Sequence, residues 1–323
     1  MNIKYKKAFA AIGVSILLLG VLAGCAKSEE EANTVRIALQ PYPLYTPIYV
    51  AKNLGYLEEE LKKIGFEVEY SSFKSGPLVN ESFAAGQQDI GVLGDVPAIL
   101  AKTSGQDTEI IANAAYGEKA LAVLVKPDST LKSASELKGK KVAYVKGSYA
   151  HHLISIVLEN AGLTFDDIES VNLEAGDIPA AIENNQVDAG VLWEPFITQL
   201  VNQDRAKVLI DGTGIKRGNL VSISTKEFAE NNPDVMKAYL IAYKKAAEYI
   251  ESNPTEAAKA VEGDLGLSAD ELVQVFKNFN YNPEISEDDL KELKVVEQFL
   301  RDQGLSQSKV NIDEFVNTTY SDK

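Results

Sequence analysis

Cysteine occurs once in the 323 residues, at Cys25. One thiol cannot form an internal disulfide, so the fold has to be held by its own core. Neither a cysteine metal site nor a cysteine nucleophile is available beyond that position. Histidine is nearly as scarce: the only two, His151 and His152, are adjacent. Neighbours on a helix point apart, whereas a chelating pair is spaced about four residues apart, so no metal is expected. Positive charge is in deficit, with 32 Lys and Arg against 47 Asp and Glu and a net charge of −15. That balance argues against nucleic acid as a partner, because phosphate contact needs a basic patch, and against adhesion to anionic lipid. The sequence also lacks a fixed-period repeat and any low-complexity tract. Its length suggests about two domains.

The first 24 residues differ from the rest. Lys4, Lys6 and Lys7 precede an apolar run from Ala8 to Leu22, and Leu22-Ala23-Gly24-Cys25 follows. A basic head, an apolar stretch and small residues describe a secretory signal. A permanent membrane helix is the alternative, since a run of this length barely spans. The quartet resembles the lipobox of bacterial lipoproteins. That resemblance implies a signal peptide over residues 1–24 and a lipid on Cys25 that ties the protein to the extracytoplasmic face of the membrane. Removing residues 1–24 takes away three lysines and no acid, which leaves −18. Residues 25–34, with Glu29, Glu30 and Glu31, are polar and aperiodic and are expected to form a disordered tether.

From Val35 onward, short β-rich runs alternate with helical patterns, which argues for βαβ units and mostly parallel sheet. Strands are expected at Val35–Leu39, Glu67–Phe73, Ile90–Leu93, Glu109–Ala114, Leu121–Val125, Lys141–Val145, Ser170–Leu173, Ala189–Leu192, Lys207–Ile210 and Leu220–Ser224. After Lys226 the spacing is helical almost to the end. Residues 35–117 and 118–218 read as two similar α/β units. If Leu220–Ser224 returns the chain to the first, lobe one comprises 35–117 plus 219–323, with the helical C-terminal segment upon it. Lobe two is then 118–218, with a hinge near Gly117 and Gly218, where glycine tolerates the dihedral change.

Five prolines, Pro47, Pro77, Pro97, Pro179 and Pro195, follow strands and open helices, the position where a missing N–H costs least. Gly147-Ser148 fills the same place before a sixth helix. In parallel sheets such turns emerge at one edge, where ligands bind. Helix N-termini collected there offer amides and partial positive charge to an anion without lysine or arginine. Ordinary helix caps are the alternative at each turn. Ser148 is a candidate N-cap that would leave the amides of Tyr149, Ala150 and His151 free. Trp193, the only tryptophan, ends a strand and can cover the organic part of a ligand or simply fill the core. Glu194 can accept from a ligand donor or favour its own helix dipole. Gln40 ends the first strand and can donate to an oxyanion. Asp95 is better placed to cap its own helix. Gly86–Asp89 and Asn184–Asp188 look like matching structural turns on two related halves.

These stretches carry a resemblance over nearly the whole chain beyond residue 25. They are Phe73-Lys74-Ser75-Gly76-Pro77, Gly94-Asp95-Val96-Pro97, Leu137-Lys138-Gly139-Lys140-Lys141-Val142-Ala143, Lys146-Gly147-Ser148-Tyr149-Ala150-His151 and Val187-Asp188-Ala189-Gly190-Val191-Leu192-Trp193-Glu194-Pro195. Together they resemble the substrate-binding proteins of ABC importers for aliphatic sulfonates, taurine, nitrate and thiamine pyrimidine precursors, with the Gly-Ser and Trp-acid-Pro pieces most similar to the sulfonate branch. The resemblance implies a two-lobed periplasmic-binding-protein fold of type II. It also implies a small organic anion held at the lobe interface, an ABC permease as partner, a monomer, and neither cofactor nor catalysis. Carried over to this sequence, it points to Gln40, Ser75, Gly76, Gly94, Asp95, Ser148, Tyr149, His151, Trp193 and Glu194. Sulfonate binders often carry a second hydroxyl residue where Tyr149 stands, and Pro43–Lys52 is more similar to the taurine and pyrimidine branches. A relative of this fold makes a pyrimidine with a cysteine-rich motif, which this chain lacks. A Ser148–His151 nucleophile pair would have no visible third member.

Overall fold

The computed structural model describes residues 33–320, so the expected signal segment, Cys25 and most of the tether lie outside the described residues. Ten strands are described: β1 (Asn33–Leu39), β2 (Phe66–Ser72), β3 (Ile90–Gly94), β4 (Thr108–Ala115), β5 (Leu121–Val125), β6 (Lys141–Tyr144), β7 (Glu169–Asn172), β8 (Ala189–Trp193), β9 (Lys207–Asp211) and β10 (Leu220–Thr225). Each coincides with an expected run to within a residue or two. Between them lie α1 (Thr46–Asn53), α2 (Tyr56–Lys63), α3 (Gly76–Ala84), α4 (Asp95–Thr103), α5 (Tyr149–Asn160), α6 (Ile178–Glu183) and α7 (Phe196–Asn202). Six further helices follow β10: α8 (Lys226–Asn231), α9 (Pro233–Ser252), α10 (Pro254–Leu265), α11 (Ala269–Phe276), α12 (Glu287–Asp302) and α13 (Ile312–Phe315).

The strands form two sheets of identical plan, β2-β1-β3-β10-β4 and β7-β6-β8-β5-β9. In the first, β1 runs parallel to β2 and β3, while β10 is antiparallel to both β3 and β4. In the second, β6 runs parallel to β7 and β8, while β5 is antiparallel to β8 and β9. The sheets are therefore mixed. β5 and β10 are the strands laid down directly after the chain passes from one sheet to the other. Each inserts inside its new sheet rather than at an edge. The matching turns close the two halves in the same way. Asp89 accepts from the amide of Arg36 at 2.8 Å, and Asp188 accepts from the amide of Lys141 at 2.8 Å, each at a strand start. Both turns lead into Gly-Val-Leu, Gly91–Leu93 and Gly190–Leu192. There a helix lies so close that an added Cβ would sit 2.7 Å from the Phe83 ring or 2.4 Å from Ile178.

The C-terminal helices pack on the first sheet's elements. α9 lies along α1 and α2, α12 lies on α4, and α13 lies on β4. Tyr239 and Tyr243, wholly buried on α9, bond the Ser222 hydroxyl and donate to the Ala114 carbonyl at 2.8 Å each. Pro233, first in its helix, separates α9 from the short α8 that holds Phe228. The described residues 33–320 fall in one compact unit. No helix among the described residues is long and apolar enough to cross a membrane.

The two capping aspartates differ in burial, and this gives a test. Asp89 is buried and also takes two bonds from the Arg36 guanidinium, whereas Asp188 is exposed. Asp89→Ala is expected to cost about 2 kcal/mol, as for loss of a charged hydrogen-bond acceptor. Asp188→Ala should cost distinctly less, with urea unfolding midpoints as the measurement.

Candidate functional site

At the switch point of the first sheet, between β1 and β3, a small cavity lies between the sheets' two sets of loops. The first lobe contributes Gln40 at the end of β1, Tyr42, Leu44 and Tyr45 from the turn into α1, Gly76 at the start of α3, and Gly94 and Pro97 at the start of α4. The second contributes Ser148 and Tyr149 at the start of α5 and Trp193 at the end of β8. None of these residues is charged. Four helix starts thus meet here, those of α1, α3, α4 and α5, although the first amide of α1 is bonded to the Pro43 carbonyl and those of Asp95 and Val96 at α4 are bonded to the Asn219 carbonyl and the Asp95 carboxylate. The room left for the centre of a water-sized sphere is about 20 Å³, enough for roughly one water molecule.

Glycine lets the walls approach. A Cβ on Gly76 would lie 2.4 Å from Pro97, and one on Gly94 would lie 3.2 Å from Tyr149 of the opposite lobe. Aromatic rings close the rest. Trp193 stands edge-on to Tyr42 at 6.0 Å and tilted to Tyr149 at 5.6 Å. The hydroxyls are deployed unequally. Tyr42 donates to the Lys74 carbonyl at 2.6 Å. Tyr45 accepts from Gln40 Nε2 at 3.1 Å, which leaves its own hydrogen to give. Tyr149 Oη is buried and has no partner. Burial raises the pKa of Tyr45 and Tyr149 well above the ordinary phenol value, so both remain hydrogen-bond donors.

The expected residues fall into two groups. Gln40, Gly76, Gly94, Ser148, Tyr149 and Trp193 meet at the cavity; Ser75, Asp95, His151 and Glu194 do not line it. Gln40 spends its amide donors on Tyr45 and on the Val92 carbonyl at 3.0 Å. Ser148 holds the N-cap position, but its hydroxyl donates to the Val145 carbonyl at 2.8 Å instead of capping, and the His151 amide donates to the Ser148 carbonyl. The free amides at α5 are thus fewer than expected. Ser75 is the buried N-cap of α3. His151 accepts from the Gly147 amide at 3.3 Å and stacks on Tyr144 at 4.8 Å. Burial, helped by Lys146, pushes its pKa down to about 4. With Ser148 and His151 each turned to the backbone, the two do not form a nucleophile–base pair.

Pro97 is third in α4 and Pro195 precedes α7, while Pro47, Pro77 and Pro179 take the second helical position. Tyr42, Leu44 and Tyr45 were not expected in the wall. Their only signal in the sequence is the Pro41-Tyr42-Pro43 turn directly after β1.

Asp95 and Glu194 occupy equivalent places, at the ends of β3 and β8, and both are buried. Asp95 accepts from its neighbour Val96 at 2.7 Å and from Lys216 Nζ at 2.7 Å. Lys216 Nζ also lies 2.9 Å from His152 Nδ1 and 3.1 Å from Glu292. Asp95, His152 and Glu292 have the types and spacing of a metal-ligand set, but the lysine ammonium occupies its centre. Glu194 accepts from the amide and hydroxyl of Thr198 at 3.0 Å each. Burial raises its pKa from 4.5 to about 7 in spite of those bonds.

Two α/β lobes enclose an uncharged polar cavity in the periplasmic-binding-protein fold. The chain belongs to the NMT1/THI5-like family, whose profile matches residues 42–257. A Bacillus subtilis (strain 168) protein named for binding aliphatic sulfonates is 28% identical over 318 residues, 96% of this chain and 95% of that one. The alkanesulfonate-binding protein SsuA of Xanthomonas axonopodis pv. citri, solved bound to MOPS, superposes with a TM-score of 0.80 at 25% identity, covering 88% of this chain and 98% of that one. The desulfurization enzyme DszB shares the fold, with a TM-score of 0.67 at 16% identity and coverage of 89% and 97%.

The carboxyl of Glu194 binds its proton more tightly folded than unfolded. Its contribution to stability is therefore full below about 4.5 and is lost as pH rises through about 7. Glu194→Gln, which keeps the shape and removes the titration, is expected to flatten the decline of the urea midpoint across that window.

Proposed function

We propose that the protein captures an organic sulfonate between its lobes and delivers it to the permease of an ABC importer. The observation that carries this reading is the cavity wall: four helix starts and two phenol donors, with no charged side chain. A sulfonate is a monoanion of low basicity, so amides and hydroxyls can hold it without a lysine or arginine. Trp193 and Tyr42 supply apolar faces for the organic part. The family relationship to proteins named for sulfonate binding supports the same choice.

A cavity with room for one water is too small for such a ligand, so capture begins with the lobes further apart. Gly117 and Gly218 are the natural hinge. They lie where the chain crosses, the Gly117 amide bonds the Arg217 carbonyl at 3.1 Å, and Gly218 has φ +71°. Lobe two is then 118–218, and lobe one 35–117 with 219–323. Residues 1–24 are read as a signal peptide and Cys25 as the lipid attachment that keeps the protein at the extracytoplasmic face of the membrane.

A thermal-shift panel on residues 26–323 tests the cargo. Alkanesulfonates at one hundred times Kd should stabilise the protein by about 2.7 kcal/mol, with taurine, nitrate, sulfate and thiamine pyrimidines giving less. A shift with pyrimidines alone would replace the sulfonate reading. Tyr149→Phe should weaken alkanesulfonate binding about tenfold, as for one lost hydrogen bond to a charge, without lowering the melting temperature of the ligand-free protein. Cys25→Ser should abolish incorporation of labelled fatty acid and release the protein from the membrane fraction. Retention with the label would refute the anchor.

A further inference from the structure

Lys216 is wholly buried, as is Asp95, yet Lys216 is not part of the cavity wall. It lies on the segment that carries the chain back from β9 to β10. Its ammonium reaches in three directions: to Asp95, the first residue of α4; to Glu292 on α12; and to His152 on α5. The first two belong to the first lobe and the third to the second. Burial opposes a charge on Lys216, but Asp95 and Glu292 hold its pKa above the ordinary lysine value. Burial and the nearby ammonium keep His152 neutral, so its Nδ1 is the acceptor. The next residue, Arg217, repeats the grip: it donates to Asp289, one turn before Glu292 on α12, at 3.0 Å. Its guanidinium also lies 3.6 Å from the centre of the Tyr116 ring on the other crossing segment. Further along the same helix, Phe299 stacks on His152 at 4.5 Å.

We propose that Lys216 is a positioning residue for the cavity: its ammonium latches α4 and α12 of one lobe to α5 of the other and so holds the closed arrangement. Asp95 adjoins Gly94, and His152 is three residues beyond Tyr149, so the latch sets the separation of two helix starts that wall the cavity. The lobes cannot part there without breaking either the His152 bond or the two carboxylate bonds. A buried ammonium that loses a partner is strongly disfavoured until water reaches it. The latch is therefore either whole or hydrated, and those two conditions correspond to closed and open lobes. Affinity for any ligand of the closed form scales with the closed fraction, so Lys216 governs affinity without touching the ligand.

The test measures the distance between nitroxides at Glu81→Cys and Asn184→Cys by double electron–electron resonance, on residues 26–323, which carry no other cysteine. No ligand is added, so the result stands apart from the sulfonate reading. The expected result is a short-distance population in the parent that falls at least tenfold in Lys216→Met. Because that variant leaves Asp95 bare in the interior, Asp95→Asn/Lys216→Met is measured beside it. The double variant should melt near the parent temperature and still lack the short distance. A parent without a closed population, a Lys216→Met distribution like the parent's, or recovery of the short distance in the double variant would each overturn the proposal. Recovery would reduce Lys216 to a counter-charge for Asp95.

Discussion

The architecture depends on one constraint of strand order. Each sheet receives its single antiparallel strand from a segment that has just left the other sheet, and that strand lies between two others. β10 cannot be removed without splitting β3 from β4, nor β5 without splitting β8 from β9. Each crossing therefore leads from an edge strand of one sheet, β4 or β9, to an interior strand of the other, β5 or β10, and the two run next to one another, bonded from Gly117 to Arg217. An added Cβ on Gly218 would lie 2.8 Å from the Gly117 carbonyl oxygen, so the crossings touch backbone to backbone. That pair of segments is where the hinge of the proposed function is placed. The cavity lies where the loop edges of the two lobes face each other.

The distribution of charge follows from the same geometry. The cavity wall holds helix starts, phenols and glycine and is uncharged, while ionic groups stand one residue behind it. Asp95 follows Gly94, and Glu194 follows Trp193. A bare carboxylate at either place would cancel the positive end of the helix it opens. The chain deals with the two differently: Asp95 is matched by the Lys216 ammonium, whereas Glu194 is held by Thr198 with its pKa raised to about 7. With a net charge of −15 over the whole sequence, the cavity wall nonetheless carries no charged side chain of either sign.

Much of this was legible in the sequence. All ten strands read correctly, most of them because they are short β-branched or apolar runs between turn residues; Leu121–Val125 has the same ends in both, and β7, Glu-Ser-Val-Asn, is the polar exception. The two-lobed plan followed from the resemblance and from the switch to helical spacing after Lys226. The direction of β5 and β10 was not legible, since alternation of strand and helix implies parallel neighbours and says nothing of a strand inserted after a crossing. Six of the ten residues expected at the site meet at the cavity. His151 does not because α5 turns it toward Tyr144, and Glu194 does not because it sits in the turn before α7 and bonds Thr198, neither of which periodicity can show. Lys216 gave no signal at all. It sits in an irregular segment, and its partners are 64, 76 and 121 residues away in sequence.

The two halves also show how a shared plan yields an asymmetric site. Asp-Ile-Gly-Val-Leu-Gly-Asp (89–95) and Asp-Ala-Gly-Val-Leu-Trp-Glu (188–194) occupy the same strand in the two sheets, with the same capping aspartate and the same close-packed glycine. They diverge at the sixth position, where the strand meets the cavity. Glycine in the first lobe lets the α5 start of the other lobe come within van der Waals reach, through Tyr149. Tryptophan in the second lobe fills the corresponding place and meets Tyr42 and Tyr149 with its ring. Two tryptophans would leave no room for a helix start, and two glycines would leave no apolar cover. One of each sets the Tyr149 side chain against Gly94 and the Trp193 indole against Tyr42 and Tyr149, so that residues of both lobes close one uncharged wall.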